Sequence, residues 1–125
     1  MSRPVATVLV VEDDRSSREV VGLVLRGEGF RALEAASVAE ALDLLAREMV
    51  LHVLVTDLHL PDGSGLTLAR EVRARFARAR VSFVSGALEA PSEEEGRFRR
   101  KPISLDELLD VVRSEIEELS PGPPA

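Results

Sequence analysis

The chain has 125 residues, of which 45% are hydrophobic and 30% are charged, and its formal net charge is −6. This length allows one domain with a single core, and the composition is typical of a folded globular protein. The acidic balance argues against direct binding to nucleic acid or to anionic membranes, and the absence of cysteine excludes disulfides and thiolate metal sites.

The two ends of the sequence differ in character. The N-terminal residues run straight into a strand-like segment without a signal peptide, and the apolar stretches are too short to span a bilayer. Residues 120–125, Ser-Pro-Gly-Pro-Pro-Ala, are typical of a linker. We therefore expect a cytoplasmic protein without membrane insertion, with one domain over residues 1–119 and a Pro-rich tail over 120–125.

Short apolar runs alternate with helical patterns along the chain. The first run, VATVLVV at 5–11, is typical of a strand that is buried on both faces. Helices are predicted from about 14 to 28, from 37, from 64 to about 77, and from 104. Their N-caps are predicted at Asp14 or Ser16, at Ser37 with Glu40, at Ser64, and at Ser104 with Glu107. Further strands are predicted at 30–35, 51–56, 81–84 and 97–100.

This alternation predicts parallel βαβ units, and hence an open α/β sheet that is covered by helices on both faces. In such sheets the functional residues lie beyond the carboxyl ends of the strands. Polar residues follow or end four of the predicted strands: Glu12 with Asp13, Asp57, Ser85 and Lys101. We therefore expect these side chains to meet at one edge of the sheet.

Lys101 is the only lysine among the 16 lysine and arginine residues of the chain. A lysine presents a compact point charge, which suits a carboxylate or a phosphoryl oxygen better than a planar guanidinium does. The alternative is a solvated charge in the basic run 97–101.

The acidic residues at this edge predict a metal site and a nucleophile. Carboxylates at Glu12, Asp13 and Asp57 would repel and raise one another's pKa, so we expect Asp57→Asn to stabilise the metal-free protein. A divalent cation, Mg²⁺ or Mn²⁺, resolves the repulsion, with Asp13 and Asp57 as direct ligands and Glu12 acting through water. Asp57 could then accept a phosphoryl group as an aspartyl phosphate.

Taken one by one, each of these residues also has a structural explanation. The acids that follow the first strand, Asp13 and Asp14, could cap the helix after them. Asp57 could form a turn, and His59 could be a solvated loop histidine. The joint placement of all of them at one edge favours the functional interpretation.

The motifs in this order resemble the receiver domain of response regulators in two-component signalling. They are VLVVEDD at 8–14, VLVTDLHLPDGSG at 53–65, FVSG at 83–86 and RFRRKPIS at 97–104, and the resemblance covers about residues 5–119. It implies a five-stranded parallel sheet in the order 2-1-3-4-5 with flanking helices. It also implies Mg²⁺-dependent phosphorylation of an aspartate by a sensor histidine kinase or a histidine phosphotransfer protein, which switches the binding of a downstream protein.

The resemblance also assigns roles to single residues. Asp57 matches the phosphoacceptor. It also matches a metal ligand, together with the acidic pair Glu12 and Asp13 and the backbone carbonyl of His59. His59 and Ala87 match positions that tune the lifetime of the aspartyl phosphate. The other matches are Glu12 and Asp13 for the acidic pair, Ser85 for the hydroxyl that turns toward the phosphoryl group, Lys101 for its ion-pairing lysine, Phe98 for the aromatic switch, and Pro102 for a proline preceded by a cis peptide.

One stretch departs from this pattern. The interval between Ser85 and Lys101 is short by more than one helical turn, and residues 86–96 lack an apolar stripe. We therefore expect the fourth helix to be truncated, irregular or replaced by a loop, which puts the usual output face in doubt.

Two other functions compete with the phosphorylated receiver. A receiver-like interaction module that acts without phosphorylation is favoured by the shortened segment and opposed by the complete acidic site. A metal-dependent phosphatase with an aspartyl nucleophile needs a second acid nearby, and only His59 is available. We therefore expect a signalling domain rather than an enzyme, apart from phosphoryl acceptance and slow self-dephosphorylation.

Overall fold

The computed structural model describes residues 5–119, so the predicted tail over 120–125 lies outside the described residues. The elements alternate as the sequence predicts. The strands are β1 (Thr7–Val11), β2 (Arg31–Ala35), β3 (Val53–Thr56), β4 (His59–Leu60), β5 (Gly63–Ser64), β6 (Arg80–Ser85) and β7 (Arg97–Arg100), and the helices are α1 (Arg15–Gly27), α2 (Val38–Leu45), α3 (Gly65–Arg75) and α4 (Leu105–Leu119).

Five strands form one parallel sheet in the order β2-β1-β3-β6-β7, while β4 and β5 pair antiparallel as a separate small hairpin. In chain order the five sheet strands follow the predicted arrangement 2-1-3-4-5, which confirms the expected topology. The small hairpin lies in the loop after β3 and was not predicted.

Alternate residues of the central strands fill two separate cores. Leu9, Leu54 and Phe83 pack on the side of α2 and α3. Val8 and Val55 pack on the opposite side, against α1 and α4. The continuous apolar character of β1 therefore follows from burial on both faces, as the sequence predicts.

The helix starts follow the predicted caps. Asp14 accepts a hydrogen bond from the Ser17 N–H at 2.8 Å, so Asp14 rather than Ser16 caps α1. The other predicted hydroxyl groups accept from the backbone at 3.1 Å: Ser37 from Glu40, Ser64 from Leu66, and Ser104 from Glu107. Each bond satisfies an N–H that the first turn of the helix would leave without a partner.

Not every apolar helix residue lies in the core. Four of them are exposed: Val20, Leu23, Leu42 and Leu105. Conversely, the fully buried members of α4 include the charged residue Glu115, whose carboxylate accepts a hydrogen bond from the Ser82 hydroxyl at 2.9 Å. A charged residue in a helix predicts a solvated position unless its partner on a distant strand is known.

Residues 86–96 contain no helix, which confirms the expected irregularity of this segment. Its end lies directly on the sheet. Gly96 has a φ of +147°, and a Cβ atom added there would lie 2.9 Å from a ring carbon of Phe83 and 2.9 Å from the Val81 carbonyl oxygen. Glycine therefore permits the loop to approach β6 more closely than a side chain would allow.

Candidate functional site

The carboxyl ends of four parallel strands bring the predicted polar residues together. Backbone hydrogen bonds extend past the strand ends and fix three of them: the Glu12 N–H donates to Ala35, the Asp57 N–H to Val11, and the Lys101 N–H to Ser85, at 2.9–3.1 Å. The sheet itself therefore sets the positions of Glu12, Asp57, Ser85 and Lys101, as the alternation of elements predicts.

Both carboxylate oxygens of Asp57 have donors. Oδ1 accepts hydrogen bonds from the Ser85 hydroxyl at 2.5 Å and from the His59 N–H at 3.1 Å. Oδ2 accepts from the Lys101 ammonium at 3.0 Å. The side chain of Asp57 is only 12% exposed, so these three donors replace most of its hydration.

The Lys101 ammonium lies between two acids. It donates to Glu12 Oε2 at 2.9 Å as well as to Asp57 Oδ2. The peptide bond between Lys101 and Pro102 is cis, as the resemblance implied. The interpretation of Lys101 as a solvated charge is therefore wrong, because the ammonium pairs with two carboxylates from different strands.

The electrostatics of the pair favour its charged form. Burial is the largest influence on Asp57 and opposes ionisation, but the donors Ser85, His59 and Lys101 together hold the pKa of Asp57 below its ordinary value. Burial likewise disfavours the ammonium, yet Glu12 and Asp57 raise the pKa of Lys101 above its ordinary value. The expectation that acid–acid repulsion raises the pKa of Asp57 is therefore wrong, because the ammonium compensates the acids.

The third predicted acid, Asp13, is exposed. Within residues 5–119 no three His, Asp or Glu side chains converge as a preformed metal cage. The Lys101 ammonium lies between Glu12 and Asp57 instead. The chemistry of the possible ligands nevertheless fits Mg²⁺, because all of them are oxygens. The three acids Glu12, Asp13 and Asp57 also carry more negative charge than the single ammonium neutralises.

The backbone next to Asp57 is crowded by the start of α3. The Gly65 N–H donates to the Leu58 carbonyl at 2.9 Å, and a Cβ atom added to Gly65 would lie 2.1 Å from the Asp57 carbonyl oxygen. Only glycine permits this approach. The turn glycine of the sequence motif thus allows α3 to begin directly against the backbone of Asp57.

The loop after β3 contains a contact that sequence reasoning missed. Asp62, at the tip of the small hairpin, accepts hydrogen bonds from the N–H groups of Val38 at 2.8 Å and Ala39 at 2.9 Å. These are the first residues of α2. Asp62 therefore ties the loop that carries His59 to a neighbouring helix, and these N–H groups hold the pKa of Asp62 below its ordinary value.

Phe98 and Ala87 lie on the same side of the sheet as α2 and α3. The half-buried ring of Phe98 packs against the core formed with α2 and α3, and the Arg100 guanidinium lies 5.5 Å from its centroid. The Ala87 N–H donates to the Ser85 hydroxyl oxygen at 3.3 Å. Of these residues, Arg100 carried no signal in the sequence beyond being one of several arginines.

This arrangement matches one family along most of the chain. The model of the response regulator receiver domain matches residues 8–113. The chain belongs to the response regulator receiver domain family. Receiver domains are signalling domains of two-component systems; they generally bind Mg²⁺ at the phosphorylation site and are phosphorylated by histidine kinases. No helix within residues 5–119 has the length and apolar character needed to cross a membrane.

Two similar proteins are much longer than this chain. The sensor kinase CckA of Brucella abortus is 34% identical over 90% of the chain and 13% of its own length. The response regulator protein PilR of Pseudomonas aeruginosa is 32% identical over 97% of the chain and 28% of its own length. The chain thus corresponds in length to one part of each.

Solved receiver structures agree with the fold. The receiver domain of a hybrid histidine kinase CckA superposes with a TM-score of 0.78 at 31% identity, covering 89% of this chain and 99% of that one. A response regulator from Thermotoga maritima superposes with a TM-score of 0.77 at 28% identity, covering 91% and 99%. The similarity therefore spans nearly the whole of both solved chains.

Proposed function

We propose that this receiver domain accepts a phosphoryl group on Asp57 in a Mg²⁺-dependent reaction, and that this modification switches the binding of a downstream protein. The observation that carries the proposal is the set of donors around Asp57. A carboxylate held by a hydroxyl, a backbone N–H and an ammonium is oriented and kept ionised, as a nucleophile must be.

In the proposed reaction a phosphoryl group moves from a histidine nitrogen of the donor protein to a carboxylate oxygen of Asp57. A carboxylate oxygen of Asp57 attacks the phosphorus of a phosphohistidine, and the P–N bond breaks as the P–O bond forms. The electron pair of the broken bond stays on the imidazole nitrogen of the donor protein. The product is an aspartyl phosphate, and no oxidant or reductant is required.

The donors around Asp57 take on a second task during transfer. The negative charge spreads over three phosphoryl oxygens, so donors in the right place lower the barrier. The Ser85 hydroxyl and the Lys101 ammonium, which bond the carboxylate at 2.5 and 3.0 Å, can turn to the new oxygens of the phosphoryl group. Lys101 is a mobile point charge and suits this change of partner.

The remaining negative charge fits a divalent cation. Glu12, Asp13, Asp57 and the carbonyl of His59 would hold Mg²⁺, or Mn²⁺ in its place, and the cation would neutralise charge on the transferred phosphoryl group. In our proposal Glu12 acts through water. The chain supplies everything else: Asp57 attacks, Lys101 pairs with one phosphoryl oxygen, and Ser85 donates to another.

A groove next to Asp57 supports docking of the phosphodonor. It has a volume of about 700 Å³, lies between α1 and α4, and is bordered by Asp57, Val20, Leu105 and Leu108. Val20 and Leu105 are 44% and 41% exposed. We propose that a histidine kinase or histidine phosphotransfer protein docks here, while the downstream partner responds to changes around Phe98.

Two positions frame the approach of water to the site, the exposed His59 and the half-buried Ala87. His59 follows Asp57 by two residues and contributes its N–H to the carboxylate, and Ala87 contributes its N–H to Ser85. We propose that the two side chains tune the lifetime of the aspartyl phosphate. An unchanged dephosphorylation rate after replacement of both would contradict this.

The test is the intact mass of the protein after incubation with Mg²⁺ and acetyl phosphate. We expect a gain of one phosphoryl group in the wild type, no gain in Asp57→Asn, and loss of the gain when EDTA replaces Mg²⁺. A gain that persists in Asp57→Asn would place the modification elsewhere and contradict the proposal.

One observation favours a second function. Because residues 86–96 form no helix, the face that usually changes on phosphorylation is built differently here. A receiver-like module that binds its partner regardless of phosphate would show no mass gain although it is folded and supplied with Mg²⁺.

The cytoplasmic location stays a prediction.

A further inference from the structure

The segment that replaces the fourth helix begins beside the phosphoacceptor and has little support from its own backbone. Within the described chain, residues 86–91 make no backbone–backbone hydrogen bond. Leu88 is 89% exposed, so apolar packing does not hold it either. Yet the Ala87 N–H must keep a defined position, since it donates to the Ser85 hydroxyl that in turn donates to Asp57.

One side chain holds this stretch. The guanidinium of Arg100 donates to the carbonyl oxygens of both Ala87 and Leu88, the latter at 3.0 Å. Arg100 pairs with Ser85 in the register of β6 and β7, so it stands beside the residue where the loop begins. A planar guanidinium with several fixed donors can bond two adjacent carbonyls at once, which an ammonium does less well.

Arg100 is itself held in place. Its guanidinium lies 5.5 Å from the centroid of Phe98, two residues earlier on the same face of β7. Phe98 packs against the core under α2 and α3. The rigid core, Phe98, Arg100 and the Ala87–Leu88 carbonyls therefore form one continuous series of contacts that ends at Ser85.

We infer that Arg100 is a positioning residue for phosphoryl transfer: it replaces the first turn of the absent helix and holds the Ala87 amide and the Ser85 hydroxyl toward Asp57. Arg100 does not touch Asp57 and acts through Ala87 and Ser85. The inference rests on the proposed function, because it concerns the rate at which Asp57 is phosphorylated.

The inference predicts a kinetic effect without loss of the fold. In Arg100→Ala the Ala87–Leu88 carbonyls lose both donors, so Ser85 spends less time in its productive position. Small displacements of a group that stabilises a transition state cost large factors in rate, and we expect phosphorylation roughly 3- to 10-fold slower. Arg100→Lys keeps the charge and one donor contact, so its rate should lie between those of Arg100→Ala and the wild type.

The neighbouring residue provides a matched control. Arg99 lies on the same strand, is exposed, and makes no ion pair or side-chain hydrogen bond within residues 5–119. Arg99→Ala removes the same charge at the same edge but leaves the loop contacts intact. Its phosphorylation rate should equal that of the wild type.

The experiment follows the mass gain over time for the wild type, Asp57→Asn, Arg99→Ala, Arg100→Ala and Arg100→Lys, with Mg²⁺ and acetyl phosphate. Amide NMR spectra of the same proteins without donor report the local structure. We expect the Ala87 amide signal to shift in Arg100→Ala and to stay in place in Arg99→Ala.

The outcomes separate the inference from the proposed function. If the wild type gains no mass, the proposed function fails and takes the positioning role with it. If the wild type is phosphorylated and Arg100→Ala reacts at the same rate, only the positioning role is overturned. Equal slowing in Arg99→Ala and Arg100→Ala would also overturn it, because a general loss of positive charge would then explain the effect.

Discussion

The Lys101 ammonium lies 3.0 Å from Oδ2 of Asp57, joining residues that are 44 positions apart in the chain. The same ammonium reaches Glu12 at 2.9 Å. A single cation therefore compensates two acids at the carboxyl edge of the sheet. In our proposal the same ammonium would pair with a phosphoryl group on Asp57.

Removal of this cation should affect both stability and chemistry. Lys101→Ala leaves Glu12 and Asp57 without their shared partner, and the loss should lower the free energy of unfolding by about 1 kcal/mol, since the ammonium is partly exposed. Phosphorylation should slow by roughly 100-fold because a donor to the phosphoryl oxygens is lost. Urea unfolding and a time course of intact mass measure the two effects. In Lys101→Arg the charge is kept, so stability should recover more fully than rate.

Asp57→Asn should lower stability at neutral pH, contrary to the expectation from repulsion alone. The side chain keeps an acceptor for Ser85 and His59 but loses its ion pair with Lys101, and we expect a loss of about 1 kcal/mol. A more stable Asp57→Asn protein in urea unfolding without metal would show that repulsion among the acids outweighs the ion pair.

The contribution of Asp57 should depend on pH in a defined direction. The folded protein holds the pKa of Asp57 below its ordinary value, so the stabilisation is complete above the unfolded pKa of about 3.9 and is lost as the pH falls through the folded value. The contribution of Lys101 to stability depends on pH in the opposite direction. Because the folded protein raises its pKa, this stabilisation is complete below the unfolded pKa of about 10.4 and is lost as the pH rises through the folded value. The stability difference between wild type and Asp57→Asn should therefore shrink below about pH 4. Urea unfolding of both proteins across pH measures it, and a constant difference would contradict this assignment.

The close approach at Gly65 predicts a strong effect of one methyl group. In Gly65→Ala the Cβ atom meets the Asp57 carbonyl, which is backbone and cannot move aside, so α3 must shift. We expect a loss of about 2–3 kcal/mol in urea unfolding. Gly27→Ala is the matched control, because nothing lies within 4 Å of a Cβ at this last residue of α1. Equal stability of the two variants would refute the steric argument.

Asp62 should stabilise the folded protein by capping α2, although it lies outside that helix. Asp62→Ala removes both acceptors from the first N–H groups of α2, and we expect a lower melting temperature. Asp62→Asn retains one oxygen acceptor and should lose less. Thermal unfolding of both variants, compared with that of Ser37→Ala at the same helix start, provides the measurement.

Most of the fold could be predicted from local sequence patterns. The β-branched run before Glu12 predicted a central strand, and the residues Asp14, Ser37, Ser64 and Ser104 predicted the starts of all four helices in the described chain. The parallel order then brought the polar residues to one edge. These features follow from the hydrophobic periodicity, from the N-cap residues, and from the rule that functional residues lie beyond the carboxyl ends of parallel strands. Each of these can be recognised from short stretches of sequence.

Contacts between distant residues could not be predicted in the same way. The buried partner of Glu115 is Ser82, 33 residues earlier. The helix that Asp62 caps and the carbonyls that Arg100 binds are likewise distant from these residues in sequence. Nothing local distinguishes Arg100 from Arg99. Lys101 was predicted at the same edge as the acids, but the sequence does not show that its ammonium hydrogen-bonds both Glu12 and Asp57, so the repulsion argument left this compensation out.

The central claim is that Asp57 itself accepts the phosphoryl group. Tandem mass spectrometry after borohydride reduction locates an aspartyl phosphate, because reduction converts the modified residue and leaves free carboxylates unchanged. After incubation with Mg²⁺ and acetyl phosphate, we predict that the converted residue is at position 57 and at no other acid. Conversion at Glu12 or Asp13, or none at all in the folded protein, would contradict the account.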